Sequence, residues 1–254
     1  MIEAFIFVFG LIWGSFFNVC IHRLPKEQSV LFPRSHCPNC QALIPWYLNI
    51  PVVSFLYLKG RCAQCQKSIC WEYPLVEILT GVVFLLLYLR FGLSTQWVGY
   101  TVFFSGLWVS SIVDLHHQII PDEISIGGIP VGFLYVLWSG DILWWQSLLG
   151  IVAGGGSFLA VSWVYEKITG RDGLGGGDVK LLAMIGAWLG YQAILPVIVI
   201  SSAVGSLVGI SLMVAKAKGM KEAIPFGPFL AAGAVVQCFW GDKIGEYLFP
   251  FSNG

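Results

Sequence analysis

Apolar residues in this chain come in long unbroken runs, at about 4–21, 75–90, 97–113, 124–139, 143–165, 179–190, 193–215 and 224–240, separated by short polar stretches. Helices of ~17–25 apolar residues are what hydrocarbon crossing requires, so the pattern predicts eight helices, most of them membrane spans. The run at 179–190 is the short one, ~18 Å long as a helix. By itself it fits a tilted, re-entrant or fused segment. Basic residues arbitrate: Arg171 before it and Lys216, Lys218 and Lys221 beyond the next run belong on one side under the positive-inside rule. Two spans with a turn around Gly190-Tyr191-Gln192 are therefore expected.

Composition supports the same class. The chain is 57% hydrophobic and 11% charged, against roughly 25% charged in soluble domains. A formal net charge of zero removes any global field that would draw nucleic acid or an acidic partner. The first run carries Glu3 and no preceding basic residue, unlike a cleaved signal peptide, while Arg23 and Lys26 follow it. An outside N-terminus and cytosolic segments at 22–74, 114–123, 166–178 and 216–223 follow from that asymmetry. On this scheme only Arg90 and Lys243 of the fourteen Lys and Arg residues fall outside. The expected fold is an all-α polytopic membrane protein with a small cytosolic zinc-ribbon-like insertion: a first helix over 1–21, a cysteine domain over 22–74 and a membrane domain over 75–254. Internal repeats are not evident.

The insertion holds five of the seven cysteines. Cys37-Pro38-Asn39-Cys40 and Cys62-Ala63-Gln64-Cys65 form two Cys-x-x-Cys knuckles, a spacing suited to tetrahedral zinc. Paired disulfides are the rival reading, disfavoured in a reducing cytosol. Four thiolates leave no open coordination position, so the metal expected at Cys37, Cys40, Cys62 and Cys65 is structural. Cys70 has poorer spacing, and Cys20 reads as an apolar filler.

Two carboxylates stand where apolar runs meet polar loops: Asp114 in Val113-Asp114-Leu115-His116-His117, and Asp178 in Gly175-Gly176-Gly177-Asp178-Val179-Lys180. Ionisable groups beside a span are costly and are functional by default. The charge pattern puts both on the cytosolic side. Two carboxyl groups sharing a proton can hydrolyse an amide without metal, one taking a proton from water and the other donating to the carbonyl oxygen. At ~4 Å and an effective dielectric near 20, repulsion within such a pair is about 4 kcal/mol. That is enough to raise one carboxyl from ~3.9 toward neutrality. Gly173, Gly175, Gly176 and Gly177 are expected to supply positive φ and close approach to an extended substrate. The bland reading makes Asp178 a helix cap in a flexible loop.

The Gly-x-Gly-Asp entry to a helix, paired with an earlier Asp, resembles the GxGD class of membrane aspartyl proteases. Closer still is the resemblance to bacterial prepilin peptidases. Gly14-Ser15-Phe16-Phe17-Asn18-Val19, His22-Arg23-Leu24-Pro25, both knuckles, Asn49-Ile50-Pro51 and Tyr73-Pro74-Leu75-Val76-Glu77 look like that family's N-terminal pattern. Asp114 to Asp122, Gly175 to Leu182 and Ile224-Pro225-Phe226-Gly227-Pro228 look like its catalytic half. Phe17 departs from the commoner Leu. The resemblance implies a bacterial inner-membrane enzyme of two activities: removal of the basic leader from type IV prepilins and pseudopilins, then N-methylation of the new terminus from S-adenosylmethionine. It places the catalytic aspartates at Asp114 and Asp178 and associates the cysteine domain with methylation. Partners would be the precursors and the lipid bilayer, without nucleic acid. A peptidase-only enzyme is the nearest alternative.

Other residues rank lower. Asp122 after Ile119-Ile120-Pro121 reads first as the acid of a helix start. His116 and His117 are more ordinary as interfacial residues than as metal ligands. Glu77 either snorkels or bonds Asn18. Trp97, Trp108, Trp138, Trp144, Trp145 and Trp240 read as interfacial anchors, and Gly154-Gly155-Gly156 as a packing surface. A proton-coupled transporter would place the acids near mid-bilayer within inverted repeats; a non-catalytic scaffold would leave the glycines before Asp178 without purpose.

Overall fold

A computed structural model describes residues 1–170, 173, 175–215 and 224–248. Among them all regular structure is helical, with two isolated antiparallel bridges. Every apolar run becomes a helix: α1 (Ile2–Arg23), α3 (Glu72–Phe91), α4 (Thr95–His117), α5 (Asp122–Ser139), α6 (Trp144–Thr169), α7 (Gly176–Leu189), α8 (Ile194–Ala215) and α9 (Gly227–Leu248). The ninth helix, α2 (Val53–Tyr57), is a short one inside the cysteine segment. Five segments are long and apolar enough to cross a membrane: Ile2–Lys26, Glu72–Phe91, Thr95–His117, Trp144–Thr169 and Tyr191–Val214. This is a helical membrane protein. The basic residues Arg171, Lys216, Lys218 and Lys221, used above for topology, lie outside the described residues.

The chain forms two compact units, Met1–Ser105 and Gly106–Gly254. In the first, α1 crosses α3 where neither helix has a side chain in the way. A Cβ on Gly10 would lie 2.7 Å from Gly81 Cα, and one on Gly14 would lie 2.6 Å from Glu77 Cα. Small residues at a crossing let backbones approach and gain dispersion contacts, which must hold helices together where lipid offers no hydrophobic drive.

The second unit is built around α7. Its residues Leu181, Leu182, Ile185 and Ala187 are fully buried. That explains the short apolar run: α7 is only 14 residues long, and its neighbours α5, α6 and α9 cover it. Ser147 Oγ donates to Ala187 O at 2.6 Å, and Trp188 Nε1 donates to Gly128 O at 3.0 Å. At the expected turn Gly190 takes φ 78° before a tight helical turn Tyr191–Ala193. Of the glycine triplet, Gly154 packs against Leu182 O and Gly155 touches Ala183, whereas Gly156 meets nothing. The tightest approach is between Gly150 and Gly186: a Cβ added to Gly150 would lie 2.2 Å from Gly186 O, and one added to Gly186 would lie 2.1 Å from Gly150 O. Gly150→Ala must push two backbones apart, and overpacking of this kind costs ~1–3 kcal/mol or more. A lowered melting temperature in detergent is the expected outcome; unchanged melting would show that α6 and α7 do not meet there.

Trp138, Trp144, Trp145 and Trp240 are exposed, but Trp108 has a buried indole nitrogen.

Candidate functional site

Asp114 lies in the last turn of α4 and is buried at 5% exposure. Its Oδ2 accepts a hydrogen bond from Gly227 N–H at 2.9 Å. Gly227 is the first residue of α9, so the carboxylate sits against the positive end of that helix. A Cβ on Gly227 would lie 2.7 Å from the same oxygen. Only glycine brings its backbone that close.

Asp178 is half-buried in the first turn of α7. Its own N–H bonds Gly175 O at 3.1 Å, and its side chain turns back toward Gly175, whose added Cβ would lie 3.5 Å from Oδ2. Ile120 joins the two halves. Added Cβ atoms on Gly177 and Gly227 would lie 3.1 and 3.2 Å from its side chain. One isoleucine thus separates the glycine before Asp178 from the glycine bonded to Asp114. Burial pushes the Asp178 carboxyl up to about 6, and a charge on Asp114 adds to that rise.

The glycines before Asp178 work differently from the sequence expectation. None of Gly173, Gly175, Gly176 and Gly177 takes positive φ; Gly175 caps α7 with φ −61° and ψ 134°. Three of them give closeness: Gly173 sits against Ser162, Gly177 against Ile120 and Gly175 beside the carboxylate, whereas Gly176 meets nothing within 4 Å. The cap position of α7 is Gly175 and Asp178 stands three residues later, so the cap reading fails too.

Asp122 is exposed in the first turn of α5 and forms an ion pair with Lys180 at 2.7 Å. Lys180 stands two positions after Asp178, on a different side of α7. Asp122 therefore ties the start of α5 to the start of α7. His116 and His117 are exposed, and no described acid joins them in a metal-sized group.

That group exists elsewhere. The Sγ atoms of Cys37, Cys40, Cys62 and Cys65 all lie within 4.8 Å of one another, with Cys37–Cys65 at 3.9 Å and Cys40–Cys62 at 4.0 Å. Zn–S bonds of ~2.3 Å in a tetrahedron put sulfurs about 3.8 Å apart, so the cage fits zinc. A local repeat, missed in the sequence, builds it. Cys37 N–H bonds Ala42 O and Cys62 N–H bonds Lys67 O, each at 2.9 Å. Gln41 and Gln66 take matching φ of 58° and 56°. The bridges His36↔Leu43 and Arg61↔Ser68 close the two hairpins. The signal was present as an Ile-x-Trp after each knuckle, Ile44-Pro45-Trp46 and Ile69-Cys70-Trp71. Cys70 stays outside the cluster.

Hydrogen bonds favour the thiolate at Cys37 and Cys65. The Lys67 amide and the Asn39 side chain pull the Cys65 thiol down to about 6. Asn39 Nδ2 reaches Cys65 Sγ at 3.6 Å, and Lys67 Nζ holds Asn39 Oδ1 at 2.7 Å. The Cys40 thiol is drawn down by the Ala42 amide but pushed up by burial and its three neighbours, and ends at about 11. Four thiolates this close need a positive ion between them.

Glu77 is buried at 8% exposure and accepts from Val52 N–H at 2.7 Å. Of the two readings of Glu77, the bond to Asn18 is not made; Asn18 donates to Tyr73 O at 3.1 Å. Both polar groups on α1 and α3 are used to hold backbone of the cysteine segment and of the α3 entry.

The family model described as Bacterial Peptidase A24 N-terminal domain matches residues 8–91, and the one described as Type IV leader peptidase family matches residues 101–210. A protein of Aeromonas salmonicida named prepilin leader peptidase/N-methyltransferase is 35% identical, over 95% of this chain and 91% of its own length. Proteins of the same name from Xanthomonas campestris and Pseudomonas aeruginosa are 36% and 33% identical, each covered over 92% of its length. No solved structure matches.

Proposed function

Because the chain belongs to the type IV leader peptidase family, we propose that it removes the basic leader of prepilins and pseudopilins and then methylates the exposed amine from S-adenosylmethionine. Cleavage is assigned to Asp114 and Asp178. The observation that supports this is that Gly177, next to Asp178, and Gly227, whose N–H bonds Asp114, both pack against Ile120. An oxygen that accepts an N–H is a poor place for a proton, so Oδ2 of Asp114 is held as an acceptor. The proton of the pair is left to the other Asp114 oxygen and to Asp178. One group takes a proton from the attacking water while the other donates to the scissile carbonyl oxygen.

The two exposed histidines at the end of α4 and the Asp122–Lys180 pair lie beside this site. They support a site that opens at the bilayer surface rather than mid-membrane, which separates the peptidase reading from a proton-coupled transporter. The basic residues in and after the cysteine segment support a cytosolic face and a bacterial inner-membrane location. Cys37, Cys40, Cys62 and Cys65 are assigned to structural zinc. When bound, S-adenosylmethionine supplies an electrophilic methyl group; the chain's own residues hold the amine against it.

The test is an assay on a pilin-like precursor peptide, with and without S-adenosylmethionine and with chelator. Leader release in all arms and methylation only with the donor are expected; no release in any arm overturns the reading. Gly227→Ala should lower cleavage about 10- to 100-fold by displacing a carboxylate through a fraction of an ångström. Full activity in that variant would remove the α9 terminus from the site.

A further inference from the structure

The relatives' names carry two activities, and the aspartate pair accounts for one. The first unit, which lacks that pair, contains a cavity of about 440 Å³ between α1 and the cysteine segment, within the ~300–1,000 Å³ of small-molecule sites. From α1 come Ser15, Phe16 and Arg23; from the cysteine segment come Arg34, Trp46 and Asn49. We propose that this cavity holds S-adenosylmethionine and is the methyl-transfer site, an inference that rests on the methylation half of the function proposed above.

The lining fits the donor's chemistry. Arg34 is exposed and offers a planar fork to the donor's carboxylate. Trp46 is 75% exposed, a large open aromatic face for adenine or for the sulfonium cation. Ser15 and Asn49 supply neutral polar groups of the kind that ribose hydroxyls need. Arg23 acts on the wall instead of the ligand. Its guanidinium donates to Ser29 O at 2.9 Å and Pro33 O at 2.7 Å, shaping the loop that bounds the cavity.

A second observation marks the place. Val52, beside the lining residue Pro51, has φ 60° and ψ −47°, closed by Val53 N–H to Pro51 O at 2.5 Å. This is the γ-turn of positive φ, rare and strained, here in a β-branched residue. Glu77 holds it by accepting the Val52 N–H at 2.7 Å. Strain of this sort persists only where the surroundings over-determine it, and it gathers at ligand sites. Glu77 thus lies between α1, whose Gly14 packs against its backbone, and the turn that follows Asn49-Ile50-Pro51, which its carboxylate holds.

In the transfer, the lone pair of the neutral terminal amine forms the N–C bond as the methyl C–S bond breaks. The sulfonium leaves as a neutral thioether, and the amine's extra proton passes to water.

The experiment is equilibrium binding of radiolabelled S-adenosylmethionine to the full chain in zwitterionic nanodiscs, alongside cleavage, methylation and zinc content. Arg34→Ala and Trp46→Ala should each weaken binding ~10-fold or more, as loss of an Arg or Trp that the bound ligand covers does, with cleavage and zinc unchanged. Arg34→Lys should lie between. If the native chain binds and methylates while both alanine variants bind equally well, the cavity assignment falls and the methylation reading stands. If the native chain neither binds nor methylates, both fall. If Arg34→Ala instead loses co-purifying anionic phospholipid with donor binding intact, the groove is a lipid headgroup site and the proposal is overturned.

Discussion

Asp114→Asn and Asp178→Asn, each alone, leave a pilin-like precursor uncleaved, with a loss of ~10²–10⁴-fold or more that follows from removing a positioned proton donor or acceptor. The reasoning is the shared proton: an amide can neither take it nor return it, and the remaining carboxyl has no partner. Both variants should stay folded. Asn keeps the acceptor oxygen for Gly227 N–H at Asp114, and at Asp178 the cap of α7 is Gly175 rather than the substituted residue. Gel mobility of the precursor measures cleavage, and thermal unfolding in detergent controls for structure. Asp122→Asn is the contrasting case. It breaks an exposed pair with Lys180, and exposed pairs contribute roughly 0–1 kcal/mol, so most cleavage should remain. Cleavage by either single dyad variant, or its loss only in Asp122→Asn, would move the chemistry to another carboxylate.

Cys37→Ser, or metal removal by a chelator, should empty the four-thiolate cage and unfold the cysteine segment. The segment has little core of its own: Trp46, Tyr47, Leu56, Tyr57 and Trp71 are all exposed. Zinc bound by four thiolates supplies on the order of 10–16 kcal/mol of apparent free energy, more than so small a segment can replace. Bound zinc should fall from about one per chain to none, and methylation should be lost with it, since Arg34, Ser35 and Trp46 flank the first knuckle. Leader cleavage should persist, because Asp114, Asp178 and Gly227 all belong to the other unit. Metal analysis with paired cleavage and methylation assays reads this; methylation that survives zinc loss would separate the cage from the transfer site.

Much of the site is legible in the residues alone. Asp114 and Asp178 stand out because a carboxylate at the edge of an apolar run is costly, and cost marks use. The knuckles stand out because Cys-x-x-Cys spacing is set by metal geometry. Gly227 does not stand out as a partner of Asp114: its part is a backbone N–H and a missing Cβ, and neither leaves a trace in residue type. Glu77 is visible as a buried acid, yet its partner Val52 is not, since the bond is to backbone 25 positions away. The glycines before Asp178 draw notice for φ and are used for closeness, a distinction that depends on Ser162 and Ile120 in other parts of the chain.

Runs of apolar residues determined by themselves that this chain forms membrane helices, and where nearly all of them begin and end, because hydrocarbon leaves the backbone no other way to satisfy its hydrogen bonds. Charge and cysteine spacing likewise determined the candidate acids and the metal ligands. Tertiary structure alone decided that the shortest run is the most enclosed helix, that Asp114 meets the start of α9, and that Glu77 lies between α1 and the turn after Pro51, beside a cavity. Those outcomes depend on which helix faces which, and continuous apolarity carries no information about facing.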